Sequence, residues 1–108
     1  MLKDPEPIVD TWTAPLLTHT DKYACQKDMV TKNILGTEDC LYVNIYTKCI
    51  EPPALAPVMV FIHCGGFVYG SNAKDIYNPE YLLRENVVVV VINYRLGAFG
   101  ECITDFVI

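Results

Sequence analysis

Serine is almost absent from this chain: one residue, Ser71, in 108. Histidine occurs only at positions 19 and 63, and tryptophan only at position 12. Basic residues number 8 against 13 acidic ones, a net charge of −5. With no basic stripe to neutralise phosphates, nucleic acid is not an expected partner. Long apolar runs are missing too. Val87 to Ile92 is the longest strongly apolar stretch and is far too short to cross a bilayer, so no membrane span is expected. Met1 is followed by Lys3, Asp4 and Glu6 with no apolar stretch, so the chain as written carries no secretory signal. That fits a cytosolic protein, and equally a fragment whose true beginning lies upstream. The compartment stays open.

The 5 cysteines, at positions 25, 40, 49, 64 and 102, form no CxxC pair, and the two histidines add no ligand pattern. Neither a metal nor a cofactor is expected. There is also no GxGxxG and no P-loop lysine, which disfavours a small phosphate-binding α/β domain built on Cys64 to Gly70.

What is present is organised around residues 57–70, Pro-Val-Met-Val-Phe-Ile-His-Cys-Gly-Gly-Phe-Val-Tyr-Gly. Val58 to Ile62 is an unbroken apolar run rich in β-branched residues, which predicts a strand buried on both faces, as in a parallel sheet. Gly65 and Gly66 follow at once. Adjacent glycines admit backbone conformations that a Cβ forbids, and they let a ligand approach the main chain. Two successive N–H groups pointing one way make a small positive concavity suited to a developing oxyanion. The alternative is a strand ending in a plain flexible turn.

Around this stretch the chain alternates. Residues 4–15, with three prolines, read as an extended surface segment anchored by the packing of Trp12. Leu16 to Gly36 is polar and turn-like, without a period. Residues 41–46 are strand formers between charged and turn residues. Pro79 to Glu85 reads as a short helix with Pro at its first position. Val87 to Ile92, five valines and an isoleucine, carries a second buried strand. Strand, loop, helix, strand makes a βαβ unit, hence a parallel pair with a right-handed crossover.

Three blocks then converge. His63-Cys64-Gly65-Gly66-Phe67 resembles the His-Gly-Gly-Gly-Phe loop of the type-B carboxylesterase (carboxylesterase/cholinesterase) family, serine hydrolases of the α/β-hydrolase fold. Glu38-Asp39-Cys40-Leu41-Tyr42 resembles that family's Glu-Asp-Cys-Leu-Tyr signature. Asn93-Tyr94-Arg95-Leu96-Gly97-Ala98-Phe99-Gly100 resembles its Asn-Tyr-Arg block. They occur in family order, in a flavour similar to insect α-esterases. The fold class implied is α/β, the N-terminal part of an α/β-hydrolase sheet, incomplete. The family-like part runs over 4–100, and the tail 101–108 diverges from Glu101.

The resemblance assigns Gly65 and Gly66 to the loop half of an oxyanion hole, the other donor lying beyond the nucleophile. Cys64 stands where the family has its first glycine; a left-handed backbone there would cost about 1 kcal/mol or more. Whether its thiol fills space or reacts stays open. The family pairing carries over to a disulfide between Cys25 and Cys40, closing a loop of about 15 residues and contributing roughly 3 kcal/mol. Two reduced thiols are the competing reading. Arg95 reads as a structural cation.

The family's chemistry needs Gly-x-Ser-x-Gly with a carboxylate and a histidine further along. Ser71 has neither glycine and reads as a loop residue. His63 shapes the loop rather than serving as the base, and His19 has no partners in its irregular surroundings. None of the triad is therefore expected here, and no ester turnover by this polypeptide alone. The substrate implied for the full-length enzyme is a small lipophilic carboxylic ester. Family members are often secreted, whereas those like insect α-esterases are cytosolic. A non-catalytic, neuroligin-like adhesion relative of the same fold is the alternative; retention of both glycines favours the esterase. Without the next strand, the edge of Val58–Ile62 is a template for self-association and poor solubility.

Overall fold

The computed structural model describes residues 6–14, 21–23, 26–27, 33–51 and 54–101. Five strands and two short helices succeed one another: β1 (Gln26–Lys27), β2 (Ile34–Leu35), β3 (Val43–Tyr46), β4 (Val58–Ile62), α1 (Glu80–Leu83), β5 (Val88–Ile92) and α2 (Ala98–Glu101). β1 and β2 form a small antiparallel ladder inside the stretch expected to be irregular. The main sheet has the order β3-β5-β4. β5 runs parallel to β4, as the βαβ reading requires, and antiparallel to β3.

Register and strand alternation sort the side chains onto two faces. Asn44, Tyr46, Met59, Phe61, Val89 and Val91 share one face. The segment after Gly70 lies over it. Val89 and Val91 are 2% and 1% exposed, and the Phe61 and Tyr77 rings meet at 4.8 Å. A ladder of amides fastens this cover. Asn93 Oδ1 accepts from the Asn72 backbone N–H at 2.7 Å, Asn72 Nδ2 donates to the Tyr42 carbonyl at 3.2 Å, and Asn44 Nδ2 donates to the Asn72 carbonyl at 2.9 Å. Asn72 and Asn93 are both buried, so each of these bonds replaces lost hydration.

The other face carries Val43, Ile45, Val58, Val60, Ile62, Val88, Val90 and Ile92, all β-branched. No described residue covers it: Val60 is 61% exposed and Ile62 62%. β4 is therefore not buried on both faces. It is an edge strand in which every residue is exposed, while β5 alternates half-buried and buried. An apolar run tells a strand to be covered on both sides; the described residues supply cover for one.

α1 starts after Pro79, which stands just ahead of the first helical residue; Asn78 Oδ1 takes the Glu80 N–H at 3.1 Å. Asn86, in the left-handed region at φ 57°, ends the turn. Residues 6–14 contain no strand or helix. Trp12 does not anchor them, since it is 55% exposed. A wholly buried contact between Cys40 and Leu96, with Tyr94 against it, forms the small core on the β5 side.

Candidate functional site

Because β4 and β5 are parallel, their C-terminal ends, Ile62 and Ile92, deliver two loops to one rim of the sheet. Residues 63–70 leave β4 and residues 93–97 leave β5. Hydrogen bonds and ring contacts join them. The Tyr94 hydroxyl donates to the His63 carbonyl at 2.9 Å, its ring stacks on the His63 imidazole at 4.4 Å, and the Gly97 N–H donates to the Phe67 carbonyl at 2.6 Å. Between the loops lies an open hollow of about 500 Å³, lined by Ile62 to Phe67, Ile92 and Tyr94.

The shape of the first loop follows from its glycines. Gly65 has φ +138°, and a Cβ there would run into the Tyr69 carbonyl. Its own carbonyl accepts from the N–H groups of Val68 and Tyr69. Between these, Gly66 and Phe67 both adopt left-handed backbone, φ 59° and 62°, the pair of signs found in a type I′ turn. Glycine does this freely. Phe67 does not, and holding it there costs about 1–2 kcal/mol, a strain that clusters at functional loops. Cys64 does not share it: the left-handed positions begin one residue later, so cysteine in place of the family's glycine carries no backbone penalty.

Neither the Gly65 nor the Gly66 N–H donates to another described residue. Gly65 is buried, and a buried amide left without an acceptor is an uncommon, costly arrangement. His63 is 2% exposed. Its Nδ1 lies 3.1 Å from the Cys64 carbonyl, which can only accept, so Nδ1 carries the proton and Nε2 is left as an acceptor. Nε2 is buried without a partner among the described residues. The imidazole also presses against Gly70, where a Cβ would strike the ring. His63 thus holds the loop in shape.

Cys64 is an exposed free thiol, its Sγ 3.7 Å from the Tyr77 hydroxyl. That hydrogen bond, then burial, pushes the Tyr77 hydroxyl above the usual tyrosine range. Burial, then Cys64, does the same to Tyr94. Tyr94 donates its proton to the His63 carbonyl, whereas at the Cys64–Tyr77 contact either atom can be the donor. Ser71 is fully buried on the opposite side of Gly70, and its Oγ accepts the Ala73 N–H at 3.2 Å, as in a serine turn. His19 and Cys25 lie outside the described residues. Cys40 is wholly buried. Tyr94, Tyr77 and the strained Phe67 were not singled out by sequence reasoning. Nothing in their spacing marks them, because their partners lie far along the chain: Phe67 and Tyr94 are 27 residues apart, and Cys64 and Tyr77 are 13.

Among the described residues no cluster of side chains could hold a metal ion, and no helix is long and apolar enough to cross a membrane.

The sequence model of the Carboxylesterase family matches residues 2–105. The chain is 44% identical over 101 residues to a juvenile hormone esterase of Tribolium castaneum, covering 91% of this chain and 17% of that protein. Over 73 residues it is 40% identical to esterase B1 of Culex pipiens, covering 68% and 14% respectively. Over 74 residues it is 46% identical to an acetylcholinesterase of Danio rerio, covering 68% and 12%. The crystal structure of a juvenile hormone esterase from Manduca sexta, with OTFP covalently attached, superimposes with a TM-score of 0.68. Identity there is 35%, and the match covers 85% of this chain and 18% of that one. The chain thus spans less than a fifth of the length of the relatives it matches.

Proposed function

The chain belongs to the carboxylesterase/cholinesterase family, and from that premise we propose that it is the N-terminal portion of a serine hydrolase of carboxylic esters. Its fold is a part of the α/β-hydrolase sheet, and insect esterases are among its relatives. In this reading the family-like part covers 4–100 and the tail diverges from Glu101. Gly65 and Gly66 supply the loop half of an oxyanion hole. One observation carries this: two successive amides at the end of a parallel strand, unpaired among the described residues, beside an open hollow. N–H groups held in advance where negative charge develops stabilise the tetrahedral transition state without reorganising.

The nucleophile, acid and base come from outside this chain. What supports that is the place of the available candidates. Ser71 is buried with Oγ occupied at Ala73, and His63 stacks on Tyr94 with Nδ1 occupied. The substrate of the parent enzyme is a small lipophilic ester, matching the apolar lining of Ile62, Phe67 and Ile92. The pairing of Cys25 with Cys40 rests on the family resemblance alone, since no disulfide is found among the described residues, and the exposed edge of β4 favours self-association of the isolated chain.

The test is hydrolysis of p-nitrophenyl butyrate by this chain and by the longer parent. The chain alone gives no turnover above buffer, and the parent does. In the parent, Gly65→Ala displaces the loop and lowers kcat by about 10²–10³ with KM little changed, the effect of losing an oxyanion donor. Unaltered kcat in that variant rejects the assignment.

A further inference from the structure

Three successive carbonyls of the first loop are tied down, each by a different donor. The His63 carbonyl accepts from the Tyr94 hydroxyl at 2.9 Å, and the Cys64 carbonyl lies 3.1 Å from His63 Nδ1. The Gly65 carbonyl accepts from the Val68 and Tyr69 N–H groups. A trans peptide unit is planar, and its C=O and N–H point in opposite directions; no described peptide bond is cis. A bond to the oxygen of one residue therefore aims the N–H of the next. The turn's own backbone aims the Gly66 amide in this way. The Gly65 amide is aimed by a side chain, the imidazole of His63.

That imidazole needs a support of its own, because a histidine ring turns freely about its side-chain bonds unless packing stops it. Tyr94 supplies the support. Its ring lies on the imidazole at 4.4 Å with 13° between the planes, and Gly70 leaves the ring room that a Cβ would fill. The Tyr94 hydroxyl holds the carbonyl of the same histidine. One side chain of the second loop thus fixes both the ring and the backbone of the residue that aims the Gly65 N–H.

We propose that Tyr94 is a positioning residue for ester hydrolysis: acting through His63, it sets the direction of the Gly65 N–H. This rests on the reading of that amide as an oxyanion donor. A donor aimed in advance helps only where negative charge develops, so its misdirection raises the barrier and leaves ground-state binding alone. Displacements of about 1 Å, caused away from the reacting atoms, can cost about 10²-fold in rate. Tyr94 also lines the hollow, but its hydroxyl is spent on the loop.

The test uses the longer parent, with kcat expressed per active site titrated by a fluorophosphonate, so that unfolded protein lowers the count and not the rate. Tyr94→Phe keeps the stacked ring and loses the bond to the His63 carbonyl; Tyr94→Leu loses both. With p-nitrophenyl butyrate, kcat falls about tenfold in the first and about a hundredfold in the second, with KM little changed. Affinity for an alkyl trifluoromethyl ketone, whose oxygen becomes negative when a serine adds to it, falls by the same factors. A merely structural tyrosine moves neither readout. If Tyr94→Leu does not fold, Tyr94→Phe decides alone. Parental kcat in Tyr94→Phe overturns the proposal, and so does a loss confined to KM, which means a wall that touches the ester. Impaired Gly65→Ala beside a parental Tyr94→Phe sinks the positioning role and leaves the oxyanion reading standing. Unimpaired Gly65→Ala sinks the oxyanion reading itself.

Discussion

The two faces of the main sheet are built from similar residues and meet opposite surroundings. Val89 and Val91 are almost sealed; Val60, beside Val90 on the other face, is 61% exposed. Hydrophobicity does not separate them. What separates them is the segment 70–84, fixed over one face by Asn72 and Asn93, with no counterpart over the other among the described residues. Polar side chains, not apolar ones, decide which face of this sheet becomes a core.

The largest test of that contrast is Asn93→Leu. It leaves the buried Asn72 N–H without its acceptor, a loss of up to about 3 kcal/mol expected from urea unfolding, while the Lys22 carbonyl, in an exposed residue, can turn to water. A loss under 1 kcal/mol would show that the cover holds without its amide ladder. Next comes a matched pair. Val91→Ala costs about 2 kcal/mol because it empties a packed site. Val60→Lys, on the bare face, stays within about 0.5 kcal/mol. Sedimentation should show Val60→Lys less associated than the parent sequence, since a charge on an edge strand opposes pairing with another copy. Equal costs at the two positions would mean that the second face is covered in solution.

The smallest effect is in pH. Burial, then Cys64, raises the Tyr94 hydroxyl above its ordinary value of 10.0. Below pH 10 the folded and unfolded chains both keep this proton and nothing changes. Above it the unfolded chain releases the proton first, so stability falls as pH rises toward the folded value. Urea midpoints measured between pH 9 and 11 should therefore drop, and drop less steeply in Tyr94→Phe.

Much of this was legible beforehand because composition alone encodes it. Val58–Ile62 and Val88–Ile92 are found where β-branched runs predict strands, and their parallel pairing follows from the short helical stretch between them. Gly65 and Gly66 announce the loop's left-handed backbone, though not that Phe67 shares it. Other features had no local signal. A two-residue ladder such as Gln26–Lys27 with Ile34–Leu35 is too short to show a period. The burial of Asn72 depends on Asn93, 21 residues away, and a polar loop residue that caps a core looks like one that faces water. For the same reason a run of valines cannot state which of its sides will find a neighbour. Trp12 misleads in the reverse direction: a large aromatic was expected to pin its segment and is instead half open to solvent.

The short bond from the Gly97 amide to the Phe67 carbonyl ties the second loop to the first like a buckle, at a residue that lines the hollow. Phe67 sits at the tip of a turn that its own backbone resists, so whatever loosens the buckle lets that tip relax and carries the neighbouring glycines with it. Changes near residue 97, remote in sequence from the glycine pair, should thus be felt by any molecule lodged against Gly65 and Gly66.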